Sequence, residues 1–136
     1  MKKIIMLFIL LAFNVSSLAD VAIIINVTNT DTITDKQIKK LFLGKSKKFP
    51  SGLVAIPIGL KSTSMITHEF NKTILGKSNE KMKAYWARKL FTGKGIPPKE
   101  YPSSQEIIEL VKSNPSMIGF IDAAKHTTDI KIIKVF

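Results

Sequence analysis

The sequence predicts a single α/β domain with a mostly parallel central sheet and helices on its faces. Three observations lead there. An apolar β-branched run, a capped amphipathic helix and a second apolar run follow one another within about 40 residues of Asp20. Later helices are marked at their starts by Ser and at their ends by Gly. Two more apolar runs close the chain.

Asp20 to Val27 (DVAIIINV) is β-branched and bounded by Asn and Thr, so it reads as a buried strand. Thr34 with Gln37 three residues later makes a capping box, Ile38, Leu41 and Phe42 form an apolar stripe, and Gly44 stands where a left-handed C-terminal residue belongs. After the loop GKSKKFPSG, Leu53 to Ile58 reads as a second strand. Strand, helix and strand imply a right-handed crossover and a parallel pair. Ile66, Phe70 and Ile74 then recur every four residues on a helix closed by Gly76. Ser78 caps the next helix, with Met82, Trp86 and Leu90 facing inward and Lys81, Lys83, Arg88 and Lys89 mostly outward. Gly93, Gly95, Pro97 and Pro98 enforce a loop. Ser103 with Glu106 reads as a second capping box, opening a helix that buries Ile107, Ile108 and Val111 and stops before Pro115. Met117 to Ile121 and Ile130 to Val135 are the last two strands. No repeat, low-complexity tract or interdomain linker interrupts the pattern.

Residues 1–19, MKKIIMLFILLAFNVSSLA, have two lysines, an apolar core from Ile4 to Phe13 and small residues at Ser17 and Ala19. This is the pattern of a secretory signal cleaved after Ala19. Its core is shorter than the roughly 20 residues of a membrane span. Residues 20–136 are then one domain, periplasmic, with no membrane span in the mature form. The chain has no cysteine, hence no lipid-attachment cysteine and no disulfide framework, and packing alone must hold it.

The formal charge is +11, or +9 without Lys2 and Lys3. Export turns that charge away from nucleic acid and toward small anions, anionic headgroups or polysaccharide, or an acidic protein face. A solvated lysine surface that keeps the protein soluble explains it equally.

The segment Val54 to Phe70 carries the most chemistry. Ser62, Thr63 and Ser64 crowd the place where a strand ends and a helix begins, with Lys61 beside them. Free amides, hydroxyls and a full positive charge there suit an oxyanion. The alternative is that one hydroxyl is an N-cap and the others fill a polar turn. In open α/β sheets ligands sit at the carboxyl ends of strands near helix starts.

Other chemistries lack parts. His68 and His126 are the only histidines, too few with no cysteine for an ordinary zinc or copper site. Ser64 and His68, and Asp122 and His126, are each four apart, but nothing supplies the group that orients a catalytic base. Gly44-Lys45-Ser46 and Gly76-Lys77-Ser78 copy the end of a P-loop, yet its first glycine would fall on Lys39 or Asn71, and each tripeptide follows a helix instead of preceding one. No acid, base and nucleophile set is present, so a non-enzymatic role without cofactor or metal is expected. Tyr85 and Trp86 invite stacking on a sugar or base, but Trp86 lies on the packing stripe of Met82 and Leu90. FTGKGIPPKE is either a binding edge or a rigid connector.

In order, AIIINVTNTDTITDKQIKKLFLGK, VAIPIGLKSTSMITHEFNKTIL, SSQEIIELVKSNPSMIGFIDAA and KIIKV resemble the second lobe of phosphate-type periplasmic substrate-binding proteins. The helix ending LFLGK, the hydroxyl turn opening a helix with Phe70, and SNPSMIGFID carry the likeness, which spans nearly all of residues 20–136. The chain is also similar to short, one-lobe exported proteins of that family. The resemblance implies a single lobe of a type II periplasmic-binding-protein-like fold, with phosphate or a similar oxyanion held by Lys61, Ser62, Thr63, Ser64 and Thr67, and a link to phosphate ABC transport. The family's turn reads Gly-Ser-Gly-Thr-Arg. Here Ser64 stands for one of its hydroxyls, no glycine separates the hydroxyls, and the arginine position falls on Thr67 or His68, so the bidentate clamp is missing. The second wall that a two-lobe relative closes over the anion is expected from a homodimer, a transporter or an envelope partner. The competing reading is an envelope interaction module, one lobe that has lost tight ligand binding.

Overall fold

The computed structural model describes residues 20–136. The segment read as a secretory signal lies outside the described residues. In chain order the elements are β1 (Val21–Ile25), α1 (Asp35–Phe42), β2 (Ile56–Leu60), α2 (Met65–Phe70) running on into a π-helical turn (Asn71–Leu75), α3 (Asn79–Phe91), β3 (Lys99–Tyr101), α4 (Ser104–Ser113), β4 (Met117–Asp122), a 3-10 turn (Ala123–Lys125) and β5 (Lys131–Val135).

The local signals act where the sequence places them. Thr34 and Gln37 form a reciprocal capping box on α1, and Ser64, Ser78 and Ser103 each accept a backbone N–H at the starts of α2, α3 and α4. Gly44 and Gly76 end their helical stretches at φ 69° and 66°, a left-handed conformation that costs glycine no Cβ clash. The second capping box is half formed: Ser103 accepts from the Glu106 N–H at 3.2 Å, and no return bond from the Glu106 side chain is present.

The sheet order is β3-β2-β4-β1-β5. β2 runs parallel to β3 and β4, while β1 is antiparallel to both of its neighbours, β4 and β5. The sheet is therefore mixed: β2, β3, β4 and β5 run one way and β1 alone runs against them, so β1 and β2 are not the parallel pair that the strand–helix–strand order implies. β1 ends opposite Ile118, and β2 begins opposite Met117 of the same strand, so α1 returns the chain to the end of the sheet it left and no crossover is made. True crossovers connect β2 to β3 and β3 to β4. All five residues of β1 are buried, as its unbroken apolar run requires.

Consecutive residues of β4 divide the core. Phe120 faces α1 and α2, where its ring stacks on Phe70 at 4.0 Å between centroids and tilts against Phe42 at 5.9 Å. Gly119 faces α4, and a Cβ there would meet Ile107 at 2.7 Å and Ile58 at 3.2 Å. A buried amide ties this second layer to the sheet: Asn26 Nδ2 donates to the Val111 and Lys112 carbonyls, both at 2.9 Å. α3 packs less closely than its stripe predicts. Met82 is buried and Trp86 half-buried, but Leu90 is 52% exposed, so the expected inward face stands partly off the sheet.

Candidate functional site

The oxyanion candidates lie on the turn that leaves the carboxyl end of β2. Lys61 N–H donates to Tyr101 O at 3.1 Å, extending the β2–β3 ladder by one bond, and Ser64 N–H donates to Lys61 O at 2.9 Å, closing the turn. Ser64 Oγ accepts from Ile66 N–H at 3.2 Å as the N-cap of α2. Thr67, one turn into the helix, is buried, and its hydroxyl donates back to Leu60 O (3.1 Å) and Lys61 O (2.8 Å). Asn79 at the start of α3 braces the other side: its Nδ2 donates to Ser62 O at 3.3 Å, while its Oδ1 accepts from Asn71 Nδ2 at 2.7 Å.

Backbone position is thus fixed from β2, β3, α2 and α3. Lys61, Ser62 and Thr63 remain exposed on that frame. Among the described residues Lys61 forms no ion pair, and the hydroxyls of Ser62 and Thr63 have no hydrogen-bond partner within the chain. Lys61 to Ser64 are therefore together at one surface turn. Thr67 stands apart: the one proton of its hydroxyl is engaged by the two carbonyls, so it positions the turn from below.

The other sequence candidates resolve into structure. His68 and His126 are exposed, and the His126 ring lies 2.8 Å from Ala123 O, with Asp122 turned instead to cap the 3-10 turn through Ala124 N–H. Among the described residues no group of three His, Cys, Asp or Glu side chains is placed to hold a metal ion. Tyr85 donates its hydroxyl to Leu43 O at 2.6 Å and meets Trp86 edge to face, while Lys89 Nζ also reaches Leu43 O, at 3.2 Å. Tyr85 is a strut between α3 and the end of α1. The FTGKGIPPKE segment does two things: Pro97 and Pro98 wall a cavity, and Lys99–Tyr101 form the edge strand β3.

That cavity, of about 660 Å³, lies beneath α3. Phe42, Phe70 and Phe120 floor it, Met82, Trp86 and Leu90 roof it, and Ser62 and Asn79 stand at the end next to the hydroxyl turn. No sequence signal marked it, because the α3 stripe has the same spacing whether or not the helix is fully seated.

No protein-family profile matches the sequence, and neither does any curated protein sequence. Solved structures do match. An ABC-type phosphate transport receptor from Vibrio cholerae superposes with a TM-score of 0.65 at 18% identity, over 86% of this chain and 47% of the receptor. A Clostridium perfringens protein assigned as a phosphate ABC transporter substrate-binding protein, solved with bound phosphate, gives 0.60 at 19% identity, over 86% of this chain and 46% of its own. The chain has the fold of a periplasmic-binding-protein lobe. It spans about half the length of these neighbours, and at this identity the likeness is one of fold. Among the described residues of this lobe no helix is long and apolar enough to cross a membrane.

Proposed function

We propose that the lobe is an exported, non-enzymatic solute-binding protein that holds phosphate or a similar oxyanion on the turn Lys61 to Ser64. The observation that carries this reading is a set of donors without partners among the described residues, Lys61 Nζ and the hydroxyls of Ser62 and Thr63, on one braced turn at the carboxyl end of β2. The phosphate named for both structural neighbours supports the choice of anion. Residues 1–19 act as the export signal in this reading, and the periplasm is its location.

Magnitudes set what such a turn does alone. Micromolar affinity needs about 8 kcal/mol. Three charge-assisted hydrogen bonds supply about 5 to 9 kcal/mol, less several kcal/mol of lost translational and rotational freedom. An open lobe without the bidentate arginine clamp holds phosphate at millimolar strength. Tighter capture needs a second wall from another copy of the chain or from a transporter component. Isothermal titration with phosphate and sulfate tests the reading: saturable millimolar heat that disappears in Lys61→Ala combined with Ser62→Ala supports it, and heat equal to dilution at every protein concentration removes it.

A second reading rests on a different surface. Lys40, Lys45 and Lys48 line a hollow of about 420 Å³ with Gln37 and Ser46, and Lys36, Lys39 and Lys47 lie in the same stretch of chain. None of the six is in an ion pair among the described residues. Such a face suits docking to an acidic envelope protein or an anionic polymer. Capture from envelope extracts at low salt, compared with a variant carrying Lys40→Glu and Lys45→Glu, tests it; equal recovery by both proteins excludes this face.

A further inference from the structure

We propose that the cavity beneath α3 receives the alkyl chain of an anionic amphiphile whose phosphate or carboxylate head rests on the turn Lys61 to Thr63. The inference deepens the oxyanion reading of that turn and rests on it.

Size is the first argument. At about 660 Å³ the cavity falls within the class that takes organic ligands, and an inorganic oxyanion of five heavy atoms leaves most of it unfilled. The second argument is chemical character. The rings of Phe42, Phe70 and Phe120 together with Trp86 and Leu90 give the space a mainly apolar lining, to which Ser62, Asn71 and Asn79 add polar groups. An apolar chain gains from leaving water against those rings.

The third argument is a gradient of polarity along the helix. α3 begins at Asn79, which is hydrogen-bonded to Ser62 on the hydroxyl turn, and ends at Phe91. Asn79 and Leu90, both lining the cavity, are separated by about 17 Å of helix. At the first end stand Ser62, Asn79 and the neighbouring Lys61. At the other, Leu90 and Pro97 are flanked by Phe91 and Ile96, which are 93% and 79% exposed. One end is thus furnished for a charged head and the other for hydrocarbon. Glu80, Lys83 and Glu100 also line the cavity, so both signs of charge occur on it, and the sign of the preferred head is itself a measurable outcome.

Trp86 is the only tryptophan of the chain and lines the cavity, so its emission reports occupancy directly. Titrations with inorganic phosphate, hexyl phosphate, decyl phosphate, decanol and decyltrimethylammonium separate the possibilities. The expected result is a blue shift with the alkyl phosphates and about fourfold tighter binding per added methylene, roughly 200-fold from hexyl to decyl. Ala87 is exposed on α3 and lines the cavity, so Ala87→Phe obstructs it without disturbing the core, and this variant is expected to lose the chain-length dependence. Phosphate binding with no dependence on chain length, or an Ala87→Phe variant that retains it, overturns the amphiphile and leaves the oxyanion reading standing. Decanol or decyltrimethylammonium binding as tightly as decyl phosphate overturns both, as does no binding of any probe.

Discussion

Gly59 of β2 lies directly beneath the ring of Phe120 on β4, so close that a Cβ at residue 59 would fall 2.4 Å from Phe120 Cε1 and 2.7 Å from Cζ. The ring is stacked on Phe70 with only 11° between planes, so yielding means breaking that stack toward the cavity that Gly59 and Phe120 both line. Gly59→Ala is therefore expected to destabilise the domain by about 1 to 3 kcal/mol, the usual cost of forcing an extra methyl against packed side chains. Urea denaturation checks it, and a loss smaller than about 0.5 kcal/mol would mean that the aromatic stack moves aside.

The two capping boxes read from the sequence differ in the structure, and so should their variants. Thr34→Ala and Ser103→Ala each remove an N-cap acceptor and are expected to cost about 1 kcal/mol. Gln37 Oε1 accepts from Thr34 N–H at 2.8 Å, whereas Glu106 makes no return bond. Gln37→Ala should then lose about 0.5 kcal/mol that Glu106→Ala does not. Equal losses in thermal unfolding would show that the second box closes in solution.

Which parts of the fold were legible follows from the range of the forces involved. Caps and terminal glycines act within four residues, so Thr34, Ser78 and Gly76 could be placed from the sequence alone. Strand order is set by which apolar faces meet, and nothing in DVAIIINV says that β4 rather than β2 will lie beside it. The expected parallel pairing of β1 with β2 was wrong for that reason. β3 was hidden because its three residues, Lys99, Glu100 and Tyr101, form an edge with no apolar alternation to announce it. In α3 the spacing of Met82, Trp86 and Leu90 correctly put them on one face. Periodicity cannot tell whether that face is covered, and the cavity is the part left uncovered.

At the hydroxyl turn the sequence placed Lys61 to Ser64 together but did not show the division of labour. Ser64 and Thr67 hold the turn, while the Ser62 and Thr63 hydroxyls are exposed and have no hydrogen-bond partner among the described residues. Thr67→Val removes the donor shared by Leu60 O and Lys61 O and is expected to cost about 1 to 2 kcal/mol of stability. Ser62→Ala, at an exposed position, should stay within about 0.5 kcal/mol of the parent. Chemical denaturation beside phosphate titration tests the split: Ser62→Ala weakens anion binding without destabilising, and the opposite pattern would place the ligand contact on Thr67.

A last prediction concerns pH. Lys112 on α4 pairs with Asp129, ahead of β5, at 2.8 Å, and Thr127 donates its hydroxyl to the same carboxylate. The hydrogen bond from Lys112, then that from Thr127, hold the Asp129 carboxyl at about 2, below its ordinary value of 3.8, and the pair raises Lys112 in turn. A carboxyl whose value is depressed by folding binds its proton more readily when unfolded, so its contribution is present above the ordinary value and is lost as pH falls from about 3.8 through about 2. Lysine behaves in the opposite sense: its contribution is present below 10.5 and fades as pH rises through the elevated value. Both groups are exposed, so salt should weaken the effect. Carbon-detected NMR titration of the Asp129 carboxyl is expected to give a midpoint near 2 at low salt that moves toward 3.8 in Lys112→Met. A midpoint near the ordinary value in the parent protein would show that the pair between α4 and the β5 approach does not persist in solution.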